Sequence, residues 1–130
     1  MLYVEDEPHD FFFMQLAWEQ SAVPNPLVTV QDGQQAMDYL AGKGEFADRA
    51  KHPFPCLLLL DLKLPIRSGF DVLKWIREHS KVASLKVVII SGSFLEADIA
   101  QARTLGVADY VIKPSSPSEL TVIVKQKWKG

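Results

Sequence analysis

The chain has 130 residues, 48% apolar and 23% charged, which is enough for one domain with a real core, since chains divide only at roughly 250–300 residues. Fourteen basic and sixteen acidic residues leave a formal charge of −2, which excludes bulk electrostatic binding to nucleic acid or to an anionic membrane, because both need a basic surface. The single cysteine, Cys56, excludes an internal disulfide; the longest apolar run, Cys56 to Leu60, is far below the roughly 20 residues of a membrane span, and no signal pattern opens the chain, so a cytoplasmic protein is expected.

Short apolar runs alternate with segments of helical period, the pattern of an α/β fold with a parallel sheet. Met1–Val4 is the first predicted strand, and Glu5 and Asp6 follow it. A helix is predicted from about Pro8, acceptable at an initial helical position, to Ala22, with Pro24 and Pro26 stopping it. Its segment FFFMQLAW at 11–18 is too apolar for one face, because successive helical residues stand about 100° apart. Phe13, Met14, Ala17 and Trp18 are expected to face the core, leaving Phe12 and Leu16 projecting from it.

Leu27–Val30 reads as the second strand and Gly33–Leu40 as the second helix, followed by an irregular surface excursion, GKGEFADRAKHPFP at 42–55. Cys56–Leu60 and Val87–Ile90 contain LLLL and VVII, continuous runs that suit central parallel strands covered on both faces. Between them a helix near Phe70–His79 carries Val72, Leu73 and Ile76 at helical spacing. A fourth helix, near Glu96–Leu105, sets Ile99, Ala102 and Leu105 on one side and ends at Gly106, suited to a left-handed cap. Tyr110–Ile112 is the fifth strand. The last helix begins at Ser116, which with Glu119 has the spacing of a capping box, and runs to about Lys129. Five βα units in one domain, 1–130, are expected, with no output segment.

In an open parallel sheet, functional groups collect at the carboxyl ends of the strands. Here those ends bear Glu5 and Asp6, then Asp61, then Ser91 with Gly92, then Lys113 with Pro114. Carboxylates brought together repel, and a hard divalent cation such as Mg²⁺ relieves that repulsion. Lys113 and the Ser91 hydroxyl suit phosphate oxygens. Phosphoryl transfer needs little from a protein beyond positioning and charge neutralisation, and a carboxylate can itself be the nucleophile, giving an aspartyl phosphate. His9, His52 and His79 show no ligand spacing and are expected at the surface.

Together, ED at 5–6, LLLLDLKLP at 57–65, IISGS at 89–93 and DYVIKP at 109–114 resemble the receiver domain of bacterial two-component response regulators, over essentially the entire chain. The resemblance implies a doubly wound, flavodoxin-like (βα)5 sandwich with strand order 2-1-3-4-5. It implies Asp61 as phosphoacceptor, Asp6 as a direct Mg²⁺ ligand, Glu5 acting through water, and the backbone carbonyl of Lys63 completing the metal site. Ser91 matches the switch hydroxyl, Gly92 the small residue beside the phosphoryl group, and Lys113 the lysine that neutralises it. Pro114 follows, often after a cis bond in family members, and Tyr110 matches the aromatic that turns inward on activation.

The excursion at 42–55 and the run LLLLDLKLPIRSGFDVLKWI are similar to stand-alone receivers that accompany bacterial and cyanobacterial phytochromes. The resemblance thus implies a switch rather than an enzyme. Its partner would be a sensor histidine kinase, phytochrome-type kinases included, or a phosphotransfer protein, with Phe12 and Leu16 as kinase contacts and homodimer formation allowed. Other readings fit less well. A haloacid-dehalogenase-type phosphatase wants a second Asp where Lys63 stands, and a flavin carrier wants a phosphate loop where EDEP stands. A receiver-like module that is never phosphorylated usually lacks the Asp or the Lys.

Overall fold

The strands form where apolar runs can be covered on both sides. In the computed structural model, which describes residues 1–79, 82–114 and 116–129, they are β1 (Leu2–Val4), β2 (Val28–Val30), β3 (Leu57–Leu60), β4 (Lys86–Ser91) and β5 (Asp109–Ile112). The helices are α1 (Pro8–Ser21), α2 (Gly33–Ala41), α3 (Gly69–Glu78), α4 (Glu96–Thr104) and α5 (Pro117–Lys129). All strand pairs are parallel, in the expected order β2-β1-β3-β4-β5. Val4 pairs with Val30 on one side and Leu60 on the other, so β1 and β3 end level.

Period-two alternation splits the strand side chains between two cores. Leu2, Val4, Leu58, Leu60, Val87 and Ile89 pack with Ala36, Tyr39 and Leu40 of α2 and Val72, Leu73 and Ile76 of α3. Tyr3, Leu57, Leu59, Val88 and Ile90 face the other way, onto Met14, Ala17 and Trp18 of α1 and Leu120 and Val124 of α5. No helix among the described residues is long and apolar enough to cross a membrane.

The rotation of α1 corrects the sequence reading. Its buried stripe is Met14, Ala17, Trp18 and Ser21, a spacing of 3, 4 and 7 that leaves Phe13 about 100° off centre. Phe13 is therefore exposed, as Phe12 is, at 38% and 57%. Leu16 is half-buried instead of projecting free, and Phe11 tilts against Tyr3, ring centroids 6.4 Å apart. Pro8 stands in the first turn, and the helix closes on Ala22 in the left-handed conformation.

The excursion after α2 includes a 3₁₀ turn, Gly44–Phe46. Arg49 ties it down by donating to the carbonyls of Tyr39 (2.8 Å), Leu40 (3.0 Å) and His52 (3.1 Å), which caps the end of α2. His52 is not at the open surface: it is half-buried, edge-on to Tyr39 and Phe46. Gly106 takes the left-handed φ of +79° that its position required, and Ser116 Oγ accepts from the Glu119 backbone N–H at 3.3 Å, one half of the expected box.

Candidate functional site

Level strand ends bring the acids together. Backbone bonds continue the ladder one residue past each strand: Glu5 N–H donates to the Val30 carbonyl (3.1 Å) and Asp61 N–H to the Val4 carbonyl (3.3 Å). Glu5, Asp6 and Asp61 can each present a carboxylate oxygen within 4.8 Å of the others. Glu5 and Asp61 are buried and Asp6 is exposed, so the cluster is open on one side. Among the described residues, Glu5 Oε2 is the buried side-chain oxygen that has no hydrogen-bond partner. An orphaned buried oxygen beside two further carboxylates is a hard-donor set, and it fits a divalent cation that keeps several waters. Lys63 lies alongside with its backbone N–H donating to Asp61 Oδ1 at 3.3 Å and its side chain exposed.

Lys113 extends from the end of β5, held there by its backbone N–H on the Ser91 carbonyl (2.8 Å). Its ammonium donates to Glu5 Oε1 (2.7 Å), Asp61 Oδ2 (2.8 Å) and Asp10 Oδ2 (2.6 Å). Burial and the adjacent Asp61 and Asp10 carboxyls push Glu5 up to about 9, against the pull of Lys113. For Lys113, burial works against the charge, but its bonds to Asp10, Asp61 and Glu5 prevail and raise it above the ordinary lysine range. Asp10 is held below the usual carboxylate range; partial burial opposes this, but its bonds with Glu5 and Lys113 outweigh it.

Asp10 is the site residue that strand-end reasoning does not reach, since it stands on a helix. A signal was present: it lies four residues before Met14, which puts it on the buried stripe of α1, one turn nearer the sheet's carboxyl edge.

On the other flank, Ser91 is buried and its Oγ accepts from the Ser93 backbone N–H at 3.2 Å. A Cβ on Gly92 would meet nothing within 4 Å, so space beside it is free. Tyr110 is half-buried and reaches across from β5 to donate its hydroxyl to the Ser93 carbonyl at 3.1 Å. No cis peptide bond occurs among the described residues, so the bond before Pro114 is trans, unlike the form often seen in the family. Expected site residues from four strand ends therefore converge, while Phe12 and Leu16 stand apart on α1.

Residues 1–125 match the family model of the response regulator receiver domain. The chain belongs to that family. It is a receiver of a two-component system. Response regulator Rcp1 of Synechocystis is 31% identical over 125 residues, covering 96% of this chain and 83% of that protein. Among solved structures, the phosphorylated cyanobacterial phytochrome response regulator RcpA is 38% identical with a TM-score of 0.88, covering 98% of this chain and 89% of that one. The Mn²⁺-bound form of Rcp1 is 31% identical with a TM-score of 0.84, covering 96% of this chain and 88% of that one. In this chain Glu5, Asp6 and Asp61 form a cluster that can hold a metal ion.

Proposed function

We propose that this receiver accepts a phosphoryl group on Asp61 from a phosphohistidine, carried by a sensor histidine kinase or a phosphotransfer protein. The observation that carries the reading is the Lys113 ammonium 2.8 Å from Asp61 Oδ2, at the edge of a three-carboxylate cluster. An Asp61 oxygen attacks phosphorus, the P–N bond breaks, and its electron pair leaves on the imidazole nitrogen, which takes a proton. Lys113 neutralises charge that otherwise opposes an anionic nucleophile meeting an anionic donor. When held by Glu5, Asp6, Asp61 and the Lys63 carbonyl, Mg²⁺ supplies further charge neutralisation at the phosphoryl oxygens.

After transfer, the phosphoryl oxygens attract the Ser91 hydroxyl, which gives up its contact with Ser93 N–H, and Gly92 leaves the approach free. Tyr110 is bonded to the same short loop, so a shift of residues 91–95 is felt on the face of α4, β5 and α5. This is a population shift driven by phosphate contacts better made in one state. Phytochrome-type kinases are the favoured input, because RcpA, a cyanobacterial phytochrome response regulator, is 38% identical to this chain. The exposed Phe12 is the kinase-facing residue on α1, with half-buried Leu16 beside it. The domain then signals by contact, as a monomer or a homodimer, or passes the phosphoryl group on; it is a switch in the cytoplasm, not an enzyme. Incubation with acetyl phosphate and Mg²⁺ tests the reading: the wild-type chain takes up acid-stable, base-labile phosphate and Asp61→Asn does not. Undiminished uptake by Asp61→Asn refutes it.

A further inference from the structure

Asp10 has no part in the reaction above, yet it binds the Lys113 ammonium as closely as the site acids do, at 2.6 Å. An ammonium has three N–H donors, and Glu5, Asp10 and Asp61 account for all three. A phosphoryl donor reaching Asp61 brings anionic oxygens that need a donor, so one of the three bonds must yield. The side chains of Glu5 and Asp61 are 0% and 7% exposed, that of Asp10 is 31% exposed. Water can take over from Lys113 at Asp10, whereas at Glu5 or Asp61 the loss would leave a buried polar group without its donor. Glu5 and Asp61 together still hold the lysine in place when Asp10 lets go.

We infer that Asp10 is a positioning residue that restrains phosphoryl uptake: it occupies the Lys113 N–H that the incoming phosphoryl oxygen requires, and its own charge repels the anionic donor. The inference rests on Asp61 being the acceptor. A plainer role for Asp10, as an acid in the first turn of α1 favoured by the helix dipole, predicts an effect on stability and none on donor affinity.

Uptake kinetics of the full chain at saturating Mg²⁺ with varied acetyl phosphate separate the two. Asp10→Asn is expected to raise kcat/KM about tenfold, mainly through a lower KM, as removal of one nearby charge implies; Asp10→Ser does the same, and Asp10→Glu keeps the wild-type KM. A metal-free measurement accompanies it: the side-chain ¹⁵N resonance of the Lys113 ammonium, assigned by its loss in Lys113→Arg, stays protected in Asp10→Asn. An unchanged or higher KM in both neutral variants overturns the inference, as does loss of the protected Lys113 signal. Absence of uptake by the wild-type chain overturns the Asp61 reading and this inference with it.

Discussion

Gly69 packs against the backbone of Asp61: a Cβ there would lie 2.3 Å from the Asp61 carbonyl oxygen and 2.7 Å from Leu62 Cα. The first residue of α3 thus abuts the end of β3, and its N–H donates to the Leu62 carbonyl at 2.9 Å. Neither neighbour is a flexible side chain, so a methyl group can be admitted only by shifting backbone, either α3 or the Asp61–Leu62 segment. Gly69→Ala is expected to cost about 1–3 kcal/mol, as overpacking does, and to slow phosphoryl uptake. Gly92→Ala, where a Cβ meets open space, should change stability by no more than about 0.5 kcal/mol. Urea denaturation of both variants checks the contrast, and equal losses would contradict it.

Lys113 sits among carboxylates that depend on it. Lys113→Met leaves buried Asp61 without its cation and buried Glu5 without its hydrogen-bond donor, a loss of about 3 kcal/mol by the usual cost of breaking a buried pair. Uptake from acetyl phosphate should fall at least about 100-fold, the scale seen when an electrostatic stabiliser is removed. Mg²⁺ should restore part of the stability and little of the rate, a split that denaturation with and without the ion reveals.

Glu5 makes the metal-free fold sensitive to alkali. Its folded value, about 9, lies above the ordinary glutamate value of 4.5 because of burial and the neighbouring acids. The native state therefore binds the proton more tightly than the unfolded chain. The resulting stability is fully present below about 4.5 and is lost as pH rises through 9. Glu5→Gln should flatten this decline across pH 6–9. A cation that replaces the Glu5 proton binds better as pH rises, so the thermal shift produced by Mg²⁺ should be larger at pH 8 than at pH 6. Equal shifts at the two values would be inconsistent with a protonated Glu5.

Arg77 fixes the far end of the fold. It donates to the carbonyls of Leu105 (2.7 Å) and Gly106 (2.9 Å), joining α3 to the turn before β5, and to that of Ala83 (2.5 Å) in the turn before β4. A lysine has no planar fork to meet three carbonyls. Arg77→Lys is expected to cost about 1–3 kcal/mol, the value of charge-assisted bonds lost, with phosphoryl uptake unaltered. A change in uptake rate at full folding would show that this clamp reaches the site.

The succession of five βα units and the placing of Glu5, Asp6, Asp61, Ser91 and Lys113 at one sheet edge were legible in the chain, because continuous apolar runs specify buried parallel strands and a polar residue that follows such a run must emerge at its carboxyl end; the order of the strands within the sheet was legible only through the family resemblance. The covering of both sheet faces followed from the same runs. What the chain alone did not determine depends on how elements are rotated and how closely they approach. Phe13 and Met14 are equally apolar, and only the packing of α1 on β1 and α5 decided which was buried. That same rotation turned Asp10 toward Lys113, more than 100 residues away in sequence. The approach of Gly69 to Asp61 and the reach of Tyr110 to Ser93 are likewise contacts between elements, for which local periodicity carries no signal. Tertiary packing thus decided that Asp10 shares Lys113 with Glu5 and Asp61.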